Sequence, residues 1–170
     1  MSAEREPDHM DAILAQWQRE RPDVDVTALA IMGRLFRTAQ LADTQLASGI
    51  AQHELQPGWF DLIAALRRAG QPFELNPTQL MATTMLSSGG MTKRLDRLED
   101  AGLVERRPDP SDRRGTLVGL TKKGQDLVDA ALVTHAGNEE RLLQVLSASE
   151  RRTLDDLLRK LLAGLEDASS

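Results

Sequence analysis

The stretch from residue 76 to residue 120 constrains the fold of this 170-residue chain most strongly. Residues 76–79, Asn-Pro-Thr-Gln, form a helix start, because the asparagine can cap the first turn and the glutamine can reach back to it. Residues 87–90, Ser-Ser-Gly-Gly, interrupt the pattern about ten residues later, so this helix has to be short. A second helical pattern then runs to residue 101, with apolar residues at every third or fourth position.

Two short β-type runs follow. They are Leu103-Val104 and residues 117–120, and the residues between them are rich in Pro, Asp, Arg and Gly. Apolar runs on either side of such a loop are typical of a β-hairpin. Short helix, turn, helix and hairpin together indicate a winged helix-turn-helix, whose second helix enters the major groove of DNA. We therefore predict a mainly α fold with a small two-stranded β-wing, a recognition helix over 87–101 and a wing over 105–117.

Helical patterns also flank this unit on both sides. The apolar stripes of the first and last helices do not belong to a compact winged helix, so their faces have to be covered. A symmetric partner subunit would cover them, and packing within the chain is the alternative. We predict one intertwined domain with three regions, which are N-terminal dimerisation and scaffold helices in 1–56, a DNA-binding winged helix in 57–120 and C-terminal dimerisation helices in 121–170.

The net charge of −5 argues at first against nucleic acid as a partner, but the charges are unevenly distributed. Residues 87–123 carry 9 basic and 6 acidic side chains, whereas residues 1–86 carry 7 and 11 and residues 124–170 carry 5 and 9. Local potential matters more than the total when a polyanion binds. The basic middle therefore favours double-stranded DNA.

The residues predicted to contact DNA lie at the start and on the polar side of the recognition helix and on the wing: Ser87, Ser88, Gly89, Thr92, Lys93, Arg97, Arg113 and Arg114. Small residues at a helix N-terminus can approach phosphates, and an arginine pair at the tip of the wing suits a narrow minor groove. Asp112 is predicted to orient the wing by pairing with one of these arginines. In the simpler alternatives, the glycines only finish a turn and the arginines are only solvated.

Other classes of function find little support in the sequence. The absence of cysteine excludes a disulfide framework, a thiolate metal site and a cysteine nucleophile. The three histidines are scattered singly along the chain, and no catalytic or phosphate-loop motif occurs. We therefore expect that the protein is not an enzyme and that it has no cofactor and no metal site. No apolar run approaches about 18 residues, and the acidic N-terminus is unlike a secretory signal, so we expect a cytoplasmic protein without a membrane segment. A winged helix that serves only as a protein-interaction module is the alternative function.

The chain resembles the MarR family of bacterial regulators over nearly its whole length. Residues 86–107, LSSGGMTKRLDRLEDAGLVERR, carry the resemblance, and residues 109–121, DPSDRRGTLVGLT, are specific for the wing of that family. The resemblance implies a homodimer with interlocked terminal helices and a winged helix on each subunit. It also implies binding to a palindromic operator and autoregulatory repression of a divergent gene, which a small ligand relieves.

A small aromatic or anionic effector is also expected. Arg94 lies at the edge of the buried stripe of the recognition helix, where a charge needs a partner such as Asp61 or a route to water. The urate-responsive branch of the family uses a first-helix tryptophan, a scaffold-helix aspartate and a recognition-helix arginine, which Trp17, Asp61 and Arg94 resemble. That branch has a further arginine, or a substitute for it, where this chain has Thr78. In the alternatives, Asp61 is an exposed acid favoured by the helix dipole and Trp17 is part of a dimer core.

Overall fold

The computed structural model describes residues 6–56, 58–84 and 90–168, with the backbone alone described for Arg113. The elements in chain order are α1 (His9–Glu20), α2 (Thr27–Ala51), α3 (Trp59–Arg68), β1 (Glu74–Leu75), α4 (Pro77–Ala82), α5 (Met91–Asp100), β2 (Val104–Asp109), β3 (Asp112–Leu120), α6 (Lys122–Leu143) and α7 (Ala148–Asp167). This is the mainly α fold with a small antiparallel sheet that the sequence predicts. Pro57 and the first residues of the predicted recognition helix, 87–89, lie outside the described residues.

The chain forms two compact units, and the boundary between them lies inside α2, after residue 45. In the first unit, Asp8 caps α1 and accepts hydrogen bonds from Arg34 of α2, whose guanidinium also donates to Asp11. The Arg34 contact lowers the pKa of Asp8. Charged hydrogen bonds therefore join α1 to the first half of α2.

The second unit holds the main hydrophobic core. Its fully buried large side chains come from α3, α4, α5, the two hairpin strands and α6: Leu62, Ile63, Leu66, Leu80, Leu95, Leu98, Val104, Val118 and Val128. Burial of each such side chain contributes about 1.5–3 kcal/mol to folding. The core thus holds α5 and the hairpin against one scaffold.

The two-stranded wing that the sequence predicts is present as the antiparallel pair of β2 and β3, and the sheet has one further strand, in the order β1-β3-β2. The additional strand, β1, pairs Glu74 with Gly119 and Leu75 with Val118 of β3. A two-residue strand is too short to show the alternation by which a sequence reveals a strand. The sequence therefore does not predict β1.

The predicted loop of the wing, rich in Pro, Asp, Arg and Gly, is wrong in its length, because both strands extend far into it. Only residues 110 and 111 separate β2 from β3. Pro108 fits within β2 because β2 is an outer strand, where a missing N–H costs no bond to a neighbouring strand. Arg113 and Arg114 consequently lie on β3 rather than at the tip of a loop.

The two C-terminal helices lie in the region 121–170 where the sequence predicts helices, and side chains cap the start of each. Thr121 caps α6, and Ser147 and Glu150 form a capping box at the start of α7. Across the described parts of the chain, no helix is both long enough and apolar enough to cross a membrane.

Candidate nucleic-acid interface

The short helix α4 precedes the turn and is fixed at both ends. At its start, Asn76 Oδ1 accepts a hydrogen bond from the Gln79 N–H at 2.8 Å, and Gln79 Oε1 accepts one from the Asn76 N–H at 3.0 Å. At its end, the Arg68 guanidinium of α3 donates to the Thr83 carbonyl at 2.8 Å. The capping box confirms the helix start predicted from the sequence.

The helix α5 is preceded by Gly90, which has a φ of 84° in the left-handed region. A Cβ at this position would lie 3.7 Å from Arg94 Nη1, which is an ordinary contact. The backbone conformation, and not close packing, therefore favours glycine here. The interpretation that the glycines finish a turn holds for Gly90. Contacts of Ser87, Ser88 and Gly89 with DNA remain predictions.

The helix α5 has a buried and an exposed side. The buried side consists of Met91, Leu95 and Leu98, as the helical spacing predicts. Thr92, Lys93 and Arg97 are exposed. Arg97 Nη1 makes a long contact of 3.5 Å with Gln56 Oε1. The α5 side chains predicted to contact DNA are thus presented to solvent on a helix that the core holds from behind.

The C-terminal end of α5 is anchored by the first turn of α6. Thr121 Oγ1 donates to the Gly102 carbonyl, and Lys123 Nζ donates to the Ala101 carbonyl, each at 2.8 Å. A lysine at the C-terminal end of a helix satisfies an unpaired carbonyl and complements the helix dipole. At least one donor of Lys123, a cation of the basic middle segment, is therefore used within the chain.

Two carboxylates shape the turn of the wing. Asp109 Oδ1 accepts from the Ser111 hydroxyl at 2.6 Å and from its N–H at 2.8 Å, and these bonds hold the pKa of Asp109 below its ordinary value. Asp112 Oδ1 accepts from the backbone N–H of Arg114 at 2.9 Å. The sequence predicts that Asp112 pairs with an arginine side chain. Among the described side chains it contacts the Arg114 backbone instead, so its orienting role stays a prediction.

Arg106, Arg107 and Arg114 line a shallow groove of about 450 Å³ on the wing. Two of these arginines are neutralised within the chain, Arg106 by two carboxylates of α5 and Arg107 by one carboxylate of β1. Arg114 has no acidic partner in the described part of the chain, and the same is true of Lys93 on α5. The cations left for a polyanion are therefore fewer than the sequence suggests, and they lie on both the helix and the wing.

The ion pairs of the wing leave no local signal in the sequence. Arg107 reaches Glu74, which is 33 positions away and lies on the strand that was not predicted. Arg106 reaches α5 across the α5–β2 connection, and only the register of the finished sheet reveals on which face it lies. The charge count alone therefore overstates the basic surface.

The three residues predicted to bind an effector do not all belong to one unit. Trp17 is 48% exposed in the first unit. It lines a shallow cavity of about 380 Å³ together with Arg21, Val24, Asp25, Val26 and Leu29. Asp61 and Arg94 belong to the second unit.

Asp61 is exposed in the first turn of α3, and Arg94 is half-buried, as its place at the edge of the stripe predicts. No ion pair joins the two within the residues that the structure describes. This is the arrangement expected of an exposed acid at a helix N-terminus. The effector site therefore stays a prediction.

Two histidines make contacts within the second unit. His53 Nε2 and Thr134 Oγ1 are 2.8 Å apart. The His135 ring lies 4.8 Å from the Phe60 ring, and its Nε2 is 3.3 Å from Glu139 Oε1. In the described ranges, no group of three or more His, Asp or Glu side chains is placed to hold a metal ion.

Known proteins resemble this chain in both sequence and fold. The sequence profile of the MarR family matches residues 53–115, from just after α2 into β3. The transcriptional regulator PecS of Dickeya dadantii is 37% identical over 146 residues, which cover 86% of this chain and 88% of PecS.

Solved structures agree with the sequence comparison. A mutant of the Escherichia coli regulator MarR, in complex with operator DNA, matches with a TM-score of 0.70 and 30% identity over 82% of this chain and 99% of its own. BpsR of Bordetella bronchiseptica, whose DNA binding is regulated by 6-hydroxynicotinic acid, matches with a TM-score of 0.69 and 25% identity over 77% of this chain and 91% of its own. These relatives are regulators and not enzymes. The chain belongs to the MarR family of DNA-binding transcriptional regulators.

Proposed function

We propose that the protein is a homodimeric repressor that binds a palindromic operator and is released by a small aromatic or anionic effector. The observation that carries the DNA-binding part is the place of two cations that have no acidic partner in the described part of the chain. Lys93 lies on α5, and Arg114 lies on the wing. In winged helices these two elements reach the major groove and the neighbouring backbone or minor groove.

The exposed side of α5 supplies the groups that would read the operator. Thr92 and Arg97 offer a hydroxyl and a guanidinium, which can hydrogen-bond to base edges in the major groove. Lys93 and Arg114 would contact phosphates and fix the position of the helix. Ser87, Ser88, Gly89 and Arg113 extend this set in the proposal.

The apolar stripe of α7 supports the homodimer. No residue of α7 is buried. Its exposed leucines and their exposed fractions are Leu154 39%, Leu157 60%, Leu158 41%, Leu161 38%, Leu162 56% and Leu165 55%. A contiguous exposed apolar face marks an interaction site, and a two-fold partner covers it with the same stripe. Two winged helices in one dimer require operator half-sites about one helical turn, ~10 bp, apart.

The proposed effector response is supported by BpsR, because the ligand that regulates its DNA binding is an aromatic acid. Trp17, Asp61 and Arg94 provide an indole, a carboxylate and a guanidinium, which suit an aromatic ring with hydrogen-bonding groups and an anion. Arg94 lies on α5 itself. An anion that binds its guanidinium would therefore act directly on the helix proposed to read DNA.

Binding to the upstream region of the protein's own gene tests this proposal. Fluorescence anisotropy with that duplex and with a scrambled duplex, at about 50 and 200 mM salt, should show specific binding that weakens steeply as salt rises. Footprinting should then reveal a near-palindrome. No binding at about 50 mM salt contradicts the proposal and favours a protein-interaction module.

A further inference from the structure

Arg106 connects the outer strand of the wing to α5. Its Nη1 atom lies 2.7 Å from Asp96 Oδ1 and 2.7 Å from Glu99 Oε2, and its backbone N–H donates to Glu99 Oε1 at 3.1 Å. Glu99 thus holds both the side chain and the main chain of one strand residue. The contact therefore ties the strand itself to the helix, and not only a flexible side chain.

The geometry of these contacts fixes the orientation of the wing relative to α5 as well as its distance. Asp96 and Glu99 are three residues apart on α5, so their carboxylates lie on the same side of the helix. The Arg106 side chain is only 27% exposed, which limits its freedom to leave the pair. Since β2 is the outer strand, the N–H of Arg106 that points away from β3 would have no strand partner, and Glu99 supplies one. Three bonds to two carboxylates define both a distance and an angle between α5 and the wing.

The neighbouring arginine serves as an internal comparison. Arg107 faces the other side of β2 and pairs with Glu74 of β1. That pair joins the wing to the rest of the sheet, but it does not contact α5. Consecutive arginines therefore connect one strand to two different elements, and of the two it is Arg106 that links the wing to the helix.

The negative charges of Asp96 and Glu99 are unexpected on this helix. Asp96 and Glu99 lie on the helix that is proposed to enter a DNA groove, where a carboxylate repels the phosphates. We infer that Arg106 is a positioning residue, and that Asp96 and Glu99 favour operator binding by holding the wing at a fixed place beside α5, although they carry the same charge as DNA. This inference rests on the proposed DNA-binding function. It does not require Arg106 to touch DNA.

The decisive experiment compares amide variants of the acids on α5. Charge repulsion alone predicts that Asp96→Asn with Glu99→Gln binds the operator more tightly. Positioning predicts that this double variant binds about tenfold more weakly at the same salt concentration. Asp100→Asn is the matched control, because Asp100 is exposed on the same helix and forms no ion pair in the described part of the chain. It should bind at least as tightly as the wild type.

Variants of Arg106 and Glu74 distinguish positioning of the wing from a general loss of stability. In Arg106→Ala, Asp96→Asn should strengthen binding, because Asp96 has then lost the guanidinium that it contacts and acts only as a repelling charge, whereas Glu99 still accepts from the backbone N–H of residue 106. Glu74→Gln should lower the melting temperature with a smaller loss of operator affinity than the double variant. The inference is overturned if the double variant binds as tightly as Asp100→Asn, or if Glu74→Gln loses as much affinity as the double variant. Failure of the wild type and of Asp100→Asn to bind any upstream duplex would instead contradict the proposed function.

Discussion

The Glu74 carboxylate reaches across the middle strand of the sheet to the Arg107 guanidinium. Arg107 Nε donates to Glu74 Oε1 at 2.8 Å, and Arg107 Nη2 contacts Glu74 Oε2. The Glu74 side chain passes over Gly119, where a Cβ would lie only 2.9 Å from Glu74 Cγ. The hydrogen bonds from Arg107 lower the pKa of Glu74. The two outer strands are thereby joined over a glycine of the strand between them.

This pair predicts a specific dependence of stability on pH. A carboxyl whose pKa is lowered by folding stabilises the protein above its unfolded pKa, and this contribution is lost as the pH falls through the lower folded pKa. Glu74→Gln should therefore destabilise the protein at pH 7 and lose less stability than the wild type between about pH 5 and pH 3. Urea denaturation of the wild type and of Glu74→Gln at about pH 5 and about pH 3 measures this difference in lost stability. Asp100→Asn is the control, and an equal acid response of wild type and Glu74→Gln would contradict the prediction.

Two glycines of α6 predict opposite changes of stability. A Cβ at Gly124 would lie 2.1 Å from the Leu103 carbonyl oxygen, whereas nothing described lies within 4 Å of a Cβ at Gly137. Gly124→Ala should therefore lower the free energy of unfolding by at least about 2 kcal/mol, because backbone has to move. Gly137→Ala should raise it by up to about 1 kcal/mol through helix propensity. Urea denaturation at one fixed protein concentration would test both, and a stable Gly124→Ala would refute the close approach.

Features with local chemistry could be predicted from the sequence. The start of α4 depends on Asn76 and Gln79 alone, and the buried side of α5 follows from the spacing of its apolar residues, so both are confirmed. The extent of the hairpin could not be predicted, because Pro108 is typical of a turn and is compatible with a strand only at a sheet edge. Which arginines are neutralised depends on which carboxylates the folded sheet and helix bring near them. The positions of residues along the chain therefore predict which side chains face DNA, but they do not show which of the charges are paired.

Arg114 and the wing give a direct test of the DNA interface. Arg114→Ala should weaken operator binding at every salt concentration and reduce the slope of log K against log salt by about 1 per subunit, because one phosphate contact is lost. The melting temperature should change little, since the side chain has no acidic partner in the described part of the chain. Arg152→Ala removes the same charge on the side of α7 opposite the leucines and should leave the slope unchanged. A collapse of the melting temperature in Arg114→Ala would show that Arg114 has a structural role.

Asp61 tests the proposed effector site. Because Asp61 is exposed and makes no described ion pair, Asp61→Ala should fold like the wild type. If the carboxylate contributes to effector binding, this variant should need a several-fold higher concentration of an active aromatic acid to release the operator. Anisotropy titrations with 6-hydroxynicotinic acid and related aromatic acids measure this concentration, and Asp156→Ala of α7 is the control. Unchanged release by every active acid would remove Asp61 from the site.

The leucine stripe of α7 predicts that the dimer, and with it operator binding, depends on Leu157. A buried glutamate in a dimer interface costs several kcal/mol, whereas in an isolated subunit the same position is 60% exposed and tolerates the charge. Leu157→Glu should therefore keep its helical circular dichroism but shift the mass measured by light scattering from twice 18.7 kDa to 18.7 kDa. Its operator affinity should fall steeply, because each subunit then binds one half-site alone. Arg152→Glu, on the opposite side of α7, should remain dimeric. A wild type that is monomeric at micromolar concentration, or a Leu157→Glu variant that remains dimeric, would contradict pairing through this stripe.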